Sequence, residues 1–143
     1  MQPEWIAAGI FLLGNSVRDI RKKEIAPVFT VVFFLFGLMI SVTGERSPAD
    51  AAAALIPGAG FLAAGLLSGG AVGPGDGIAL AVTGLYLPAA GVAEVCLFAI
   101  LFSACAAGVL FIKNRRGKDR LPFLPFLFAG CVAVMAGKLL TGP

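Results

Sequence analysis

Long apolar segments alternate with short polar ones along the chain, and this pattern predicts helices that cross a membrane. A transmembrane helix needs about 20 mostly apolar residues. The predicted spans are approximately residues 5–17, 25–42, 51–68, 77–87, 91–112 and 121–140. The first is short for a bilayer and is expected to extend into its flanking residues. The sequence therefore predicts an all-α, polytopic membrane protein with six transmembrane helices in a single domain, residues 1–143.

The composition agrees with this class. Of the 143 residues, 59% are hydrophobic and 13% are charged, and the mean hydropathy is +0.96. Such a chain has too few polar residues to cover a soluble surface. The net charge of +3 falls in two basic clusters beside apolar segments, which is typical of membrane topology signals rather than of nucleic-acid binding.

The basic clusters also predict an orientation. Four of the 11 Lys and Arg residues lie in 18–23 and five lie in 113–120, whereas Arg46 and Lys138 stand alone. With six spans, both clusters fall on one side of the membrane. The positive-inside rule places that side in the cytoplasm and both termini outside. We therefore expect a multi-pass protein of the cytoplasmic (inner) membrane.

Metal and nucleophile chemistry have little support in the sequence. Cys96, Cys105 and Cys131 lie inside apolar segments without Cys-x-x-Cys spacing, and the chain contains no histidine. A zinc site needs a convergent set of thiolate or imidazole ligands, so neither a metal nor another cofactor is predicted. The lack of histidine also excludes Ser-His and Cys-His arrangements.

One carboxylate lies in a glycine-rich stretch, Gly69-Gly70-Ala71-Val72-Gly73-Pro74-Gly75-Asp76-Gly77. Asp76 has 25 uncharged residues before it and 17 after it. Irregular backbone is tolerated at membrane depth where it packs in protein or lines a wet cavity. An ionisable residue in such a place is a functional candidate. The alternative is an ordinary turn between two spans, with Asp76 capping a helix at the water boundary.

A second carboxylate strengthens the functional interpretation. Asp19 closes the first predicted span and Asp76 opens the fourth, so six spans return both to the cytoplasmic boundary. Two carboxyl groups within about 3–5 Å share one proton, because they cannot both ionise easily. The ionised group can take a proton from an attacking water while the protonated group donates to the substrate. This is the chemistry of an aspartic protease.

Three segments resemble motifs of the type IV prepilin peptidases, membrane aspartic proteases of the Gly-x-Gly-Asp class. They are Asp19-Ile20-Arg21-Lys22-Lys23-Glu24-Ile25, Gly73-Pro74-Gly75-Asp76 and Leu121-Pro122-Phe123-Leu124-Pro125-Phe126. The resemblance covers essentially the whole chain and implies that Asp19 and Asp76 are the catalytic pair. It also implies an active-site loop with a defined set of residues: Gly73, Pro74, Gly75 and Gly77.

The resemblance implies a substrate as well. Family members cut the cytoplasmic leader from pilin or pseudopilin precursors, just before the apolar helix, and serve pilus assembly and protein secretion. This chain departs from the family by having Ala26-Pro27 after the isoleucine and Ile78 where a lysine is frequent. It is similar to the short, peptidase-only members without the cysteine-bearing insert and N-methylation region.

Two alternatives remain open from the residues. The first is a non-enzymatic membrane module, a transporter half or an assembly scaffold, in which Asp19 and Asp76 bind an ion or a proton. The second is a protease that cuts within transmembrane helices, like signal peptide peptidase or presenilin. Those proteins carry a Tyr-Asp pair and a Pro-Ala-Leu segment, and this sequence has neither.

Overall fold

The computed structural model describes residues 2–22, 26–69, 74–114 and 123–142. They form six α-helices: α1 (Pro3–Lys22), α2 (Pro27–Thr43), α3 (Pro48–Leu67), α4 (Pro74–Tyr86), α5 (Ala89–Asn114) and α6 (Leu124–Thr141). The predicted all-α class is confirmed, and one helix corresponds to each predicted span.

Three helices, α3, α5 and α6, are long and apolar enough to cross a membrane, and α2 is a shorter apolar helix. They identify the chain as a membrane protein. By length and composition, the ability to cross a membrane is established for these three helices and not for all six. α1 carries five charged residues among its 20, and α4 has only 13 residues.

The start of α3 was predicted incorrectly. The polar stretch 43–50 was expected to be a loop, but the helix begins at Pro48. The Ser47 side chain accepts a hydrogen bond from the Asp50 backbone N–H at 3.1 Å, which satisfies one of the donors at the helix start. Pro48 then takes the first helical position, where its fixed φ is favourable.

α1 is an amphipathic helix that continues through the basic cluster. Its buried residues recur every three or four positions, which is one helical face: they are Trp5, Ala8, Phe11, Leu12, Asn15, Ser16 and Asp19. The helix extends to Lys22, beyond the predicted end near Val17, and its last turn carries Asp19 on this buried face.

α4 is the central helix. It contacts α1, α2, α3 and α5, while α6 packs against α1 and α5. Eight of its 13 residues are buried, which explains why its sequence is apolar around the whole circumference. The helix that carries Asp76 in its first turn is thus packed against four other helices.

Glycines bring the backbones of α3 and α4 into direct contact. A Cβ on Gly58 would lie 2.6 Å from the backbone N of Ala81, and one on Gly84 would collide with the carbonyl oxygen of Ala54. Small residues allow such close approach between helices in membranes. α3 and α4 therefore form one closely packed pair.

A polar cluster ties four helix ends together at the side away from the aspartates. Arg46 donates from Nε to Asp50 at 3.1 Å and from Nη1 to the carbonyls of Gly84 and Leu85, each at 3.2 Å. Asp50 also accepts the backbone N–H of Ala89 at 3.2 Å. This cluster, the Arg46 clasp, joins the α2–α3 connection to the α4–α5 turn.

Candidate active site

Asp19 lies at the junction between the end of α1 and the start of α6. Its side chain is 8% exposed, and its Oδ2 accepts a hydrogen bond from the backbone N–H of Leu124 at 3.3 Å. A buried carboxylate is costly unless it is hydrogen-bonded. The fold therefore provides Asp19 with a donor from a segment 105 residues away along the chain.

Asp76 lies in the first turn of α4 and is half-buried. The predicted helix start at Gly77 was wrong, because α4 begins at Pro74. Asp76 is thus inside the helix, where backbone N–H groups lack intrahelical acceptors and favour a negative charge. Gly75 is half-buried in the same turn. Gly73, also predicted for the active-site loop, lies outside the described residues.

The turn that carries Asp76 packs directly against α3. Gly77 is buried, and a Cβ at this position would lie 2.7 Å from the backbone N of Leu62 and 3.0 Å from the carbonyl oxygen of Gly58. A side chain at position 77 would therefore force the two helices apart. The lack of a side chain at Gly77 therefore lets the first turn of α4, with Asp76, pack closely against α3.

An aromatic pair connects that level of α3 to the start of α6. The rings of Phe61 and Phe123 are stacked with their centroids 5.2 Å apart. Phe123 precedes Leu124, the donor to Asp19, and α1 and α4 also contact each other. Because Asp19 lies in the last turn of α1 and Asp76 in the first turn of α4, the two aspartates lie at the same end of the helical bundle.

Asn15 is a polar residue of this region that the sequence analysis missed. It is fully buried, and its Oδ1 accepts the backbone N–H of Ala26 at 2.9 Å and the Thr30 hydroxyl at 3.4 Å. These bonds attach the start of α2 to α1, one helical turn before Asp19 on the same face. The feature of the sequence that could have identified Asn15 is its position in an apolar helix, four residues before an aspartate.

The third motif is described in part. Leu121 and Pro122 lie outside the described residues, whereas Phe123 supplies the aromatic contact and Leu124 the hydrogen-bond donor. Pro125 occupies the first turn of α6, where a proline is tolerated because the first N–H groups of a helix have no intrahelical acceptor. The sequence analysis assigned no individual role to these residues.

In the described ranges, the side chains do not form a metal-binding arrangement. Among those residues, no group of three or more His, Cys, Asp and Glu side chains is placed to hold a metal ion. Cys131 is buried, Cys96 is half-buried and Cys105 is exposed.

The fold and this region define an all-helical membrane protein with two carboxylates at one end of its bundle, and ionisable residues in such proteins are functional candidates. A family model described as "Type IV leader peptidase family" matches residues 6–112. This match covers about three quarters of the chain and contains both aspartates. The chain belongs to the type IV leader peptidase family, as the sequence motifs predicted.

Family membership identifies the chain as a peptidase whose substrate class is a peptide. Comparison with curated proteins found no match. Comparison with solved structures likewise found none.

Proposed function

We propose that this chain is an aspartic endopeptidase of the cell membrane that removes the leader peptide from type IV pilin-like precursors. The family match over residues 6–112 carries the proposal, because it includes both Asp19 and Asp76. The burial of Asp19 at the end where α4 begins supports a shared role for the two carboxylates. The active-site segment would comprise Gly73, Pro74, Gly75 and Gly77, and the last three lie in the first turn of α4 rather than in a loop.

The reaction needs only the two carboxyl groups and a water. The ionised aspartate takes a proton from water as the water oxygen bonds to the scissile carbonyl carbon, and the protonated aspartate gives its proton to the carbonyl oxygen. In the second step the first aspartate protonates the amide nitrogen, and the C–N bond breaks. The second aspartate recovers its proton from a hydroxyl of the intermediate. Both groups end in their initial states.

We further propose that all six helices cross the membrane and that the aspartate end faces the cytoplasm. α1 would cross despite its charges, since these lie at its two ends, and α4 would cross surrounded by other helices. Support comes from the charges near each end: Arg18, Arg21 and Lys22 lie at the aspartate end, whereas Arg46 lies at the opposite end. Both termini would then be outside.

The substrate would be a pilin or pseudopilin precursor with its apolar helix in the bilayer and its short basic leader in the cytoplasm. Such an arrangement presents the bond between leader and helix at the membrane boundary. The aspartates, at the cytoplasmic end of the bundle, would meet that bond without moving the substrate helix out of the membrane.

Cleavage by the purified protein tests this function. We expect the protein in detergent to cut a synthetic precursor, with a basic leader ending in glycine followed by an apolar helix, at one bond directly after that glycine. Mass spectrometry of both products identifies the bond. The same apolar helix without a leader is the control and should stay intact. Cleavage inside the apolar helix would contradict leader processing, and no cleavage by folded protein would favour the non-enzymatic module.

The proposed orientation is tested by labelling single cysteines in a cysteine-free background. Glu45 and Lys22 are both exposed and lie at opposite ends of the bundle. A membrane-impermeant thiol reagent should label Glu45→Cys in intact cells and Lys22→Cys only after the cells are broken. Labelling of Lys22→Cys in intact cells would place the aspartate end outside and refute a cytoplasmic active site.

A further inference from the structure

The start of α6 supplies a hydrogen-bond donor to one of the two candidate catalytic carboxylates. The amide of Leu124 donates to Asp19, although the two residues are 105 positions apart. We propose that this backbone N–H positions the Asp19 carboxylate and stabilises its charge during peptide cleavage. The inference rests on the proposed function, and it gives the third motif, residues 121–126, a defined role.

The Leu124 amide differs from its neighbours in the first turn of α6. The N–H groups of Phe126 and Leu127 both donate to the carbonyl of Phe123, at 3.0 and 3.1 Å, and Pro125 has no N–H. The first N–H groups of a helix have no acceptor within the helix. In this turn the Leu124 amide is the donor that reaches Asp19.

The electrostatic setting of Asp19 makes that donor important. Asp19 lies in the last turn of α1, where the carbonyl groups of its own helix disfavour a negative charge. The amino end of α6 has the opposite polarity and points an N–H at Oδ2. A hydrogen bond to a carboxylate is stronger than one between neutral groups. The contact therefore favours the ionised form of Asp19.

At the aspartate end, the described charged residues of α1 and of the helices that contact it come from two elements. α1 contributes three cations, Arg18, Arg21 and Lys22, and α4 contributes Asp76. The described part of α2 carries no charged residue, and the charged residue of α6 in the described range is Lys138, in its last turn. Among the described residues of α2, α4 and α6, the Leu124 amide is thus a positive group that a packed neighbour directs at Asp19.

Packing holds the Leu124 amide in place. The side chains of Leu124 and Leu127 are fully buried, and the preceding Phe123 stacks on Phe61 of α3. The donor is therefore fixed before a substrate binds. Preorganised donors of this kind need no rearrangement as charge changes in the reaction.

Replacing a single amide by an ester tests the inference. Introduction of the α-hydroxy analogue of leucine at position 124 removes the N–H and keeps the side chain. The matched control is the same replacement at Leu127, whose N–H donates to the Phe123 carbonyl. An ester at 124 also weakens the Phe123 carbonyl as a hydrogen-bond acceptor. The control shows how much activity is lost when that carbonyl loses one of its hydrogen bonds.

We expect the ester at 124 to lower kcat about tenfold with little change in KM, and to move the acidic limb of the pH–rate profile upward by about one unit. The ester at 127 should keep its kcat within about threefold and leave the limb where it is in the wild type. A general loss of stability would lower activity without moving the limb, so the pH profile separates positioning from simple structural support.

An ester at 124 whose profile coincides with the wild type would overturn the inference, and so would an equal shift caused by the ester at 127. The Asp19→Asn variant, measured beside them, separates this failure from failure of the proposed function. If Asp19→Asn is inactive and the two esters behave alike, only the positioning role is lost. If Asp19→Asn remains active, or the wild type cuts nothing, both proposals fail.

Discussion

Replacing either Asp19 or Asp76 by asparagine should reduce cleavage of a pilin-type precursor at least about a hundredfold, the lower end for losing a general acid–base group. Asparagine is close in size to aspartate but cannot take the proton from water. The double variant should be barely slower than either single variant, since groups that act as one unit are strongly non-additive. The measurement is kcat/KM for the purified wild type and the three variants in detergent.

The matched control is Glu94→Gln, which neutralises an exposed carboxylate on α5 and should leave the rate nearly unchanged. The wild-type rate should also fall on both sides of a pH optimum, because a coupled pair works only with one proton. A single variant that keeps more than about a hundredth of the wild-type rate would refute the two-aspartate mechanism. Multiplicative losses in the double variant would show that the two groups act separately.

Gly58→Ala should destabilise the protein by about 2 kcal/mol and strongly reduce activity, whereas Gly60→Ala should do neither. The new Cβ at position 58 would lie 2.6 Å from the backbone of Ala81, while nothing lies within 4 Å of a Cβ at position 60. Backbone cannot rotate away as a side chain can, so α3 and α4 must separate. Because α4 carries Asp76 in its first turn, this separation displaces the carboxylate.

The two glycines lie two positions apart in the same helix, so effects of alanine on helix propensity are matched. At position 60, alanine should add up to about 1 kcal/mol of stability. Thermal unfolding in detergent and the cleavage rate are the two measurements. Equal losses in both variants would show that the α3–α4 contact is not what makes Gly58 important.

The sequence predicted the number of helices and their approximate positions because the length of an apolar segment is visible directly. It missed the starts of α3 and α4, since helix starts depend on local capping rather than on hydropathy. Ser47 and Pro48 begin α3 within a polar stretch, and Pro74 begins α4 within a glycine-rich one. In both cases residues typical of turns were assigned to a loop although they start a helix.

Asp76 could be singled out from the sequence because a charge in a long uncharged stretch is conspicuous, and Asp19 because the predicted topology returns it to the same membrane boundary. Their neighbours could not be. The donor to Asp19 is a backbone N–H, which no side-chain pattern reveals. Likewise, Gly58 and Gly60 look alike in the sequence, and only the packed helices distinguish the glycine that touches α4 from the one that does not.

The Arg46 clasp holds the end of α4 that lies farthest from Asp76. Its hydrogen bonds hold the Gly84 and Leu85 carbonyls, while Asp76 lies nine residues away, about 14 Å along the helix axis at 1.5 Å per residue. Because α4 packs against α3, a tilt of about 4° of the pair around the clasp would move Asp76 by about 1 Å, a displacement that can cost an enzyme about a hundredfold in rate. If the two aspartates act together as proposed, the position of Asp76 relative to Asp19 would thus depend on an arginine at the opposite end of the bundle.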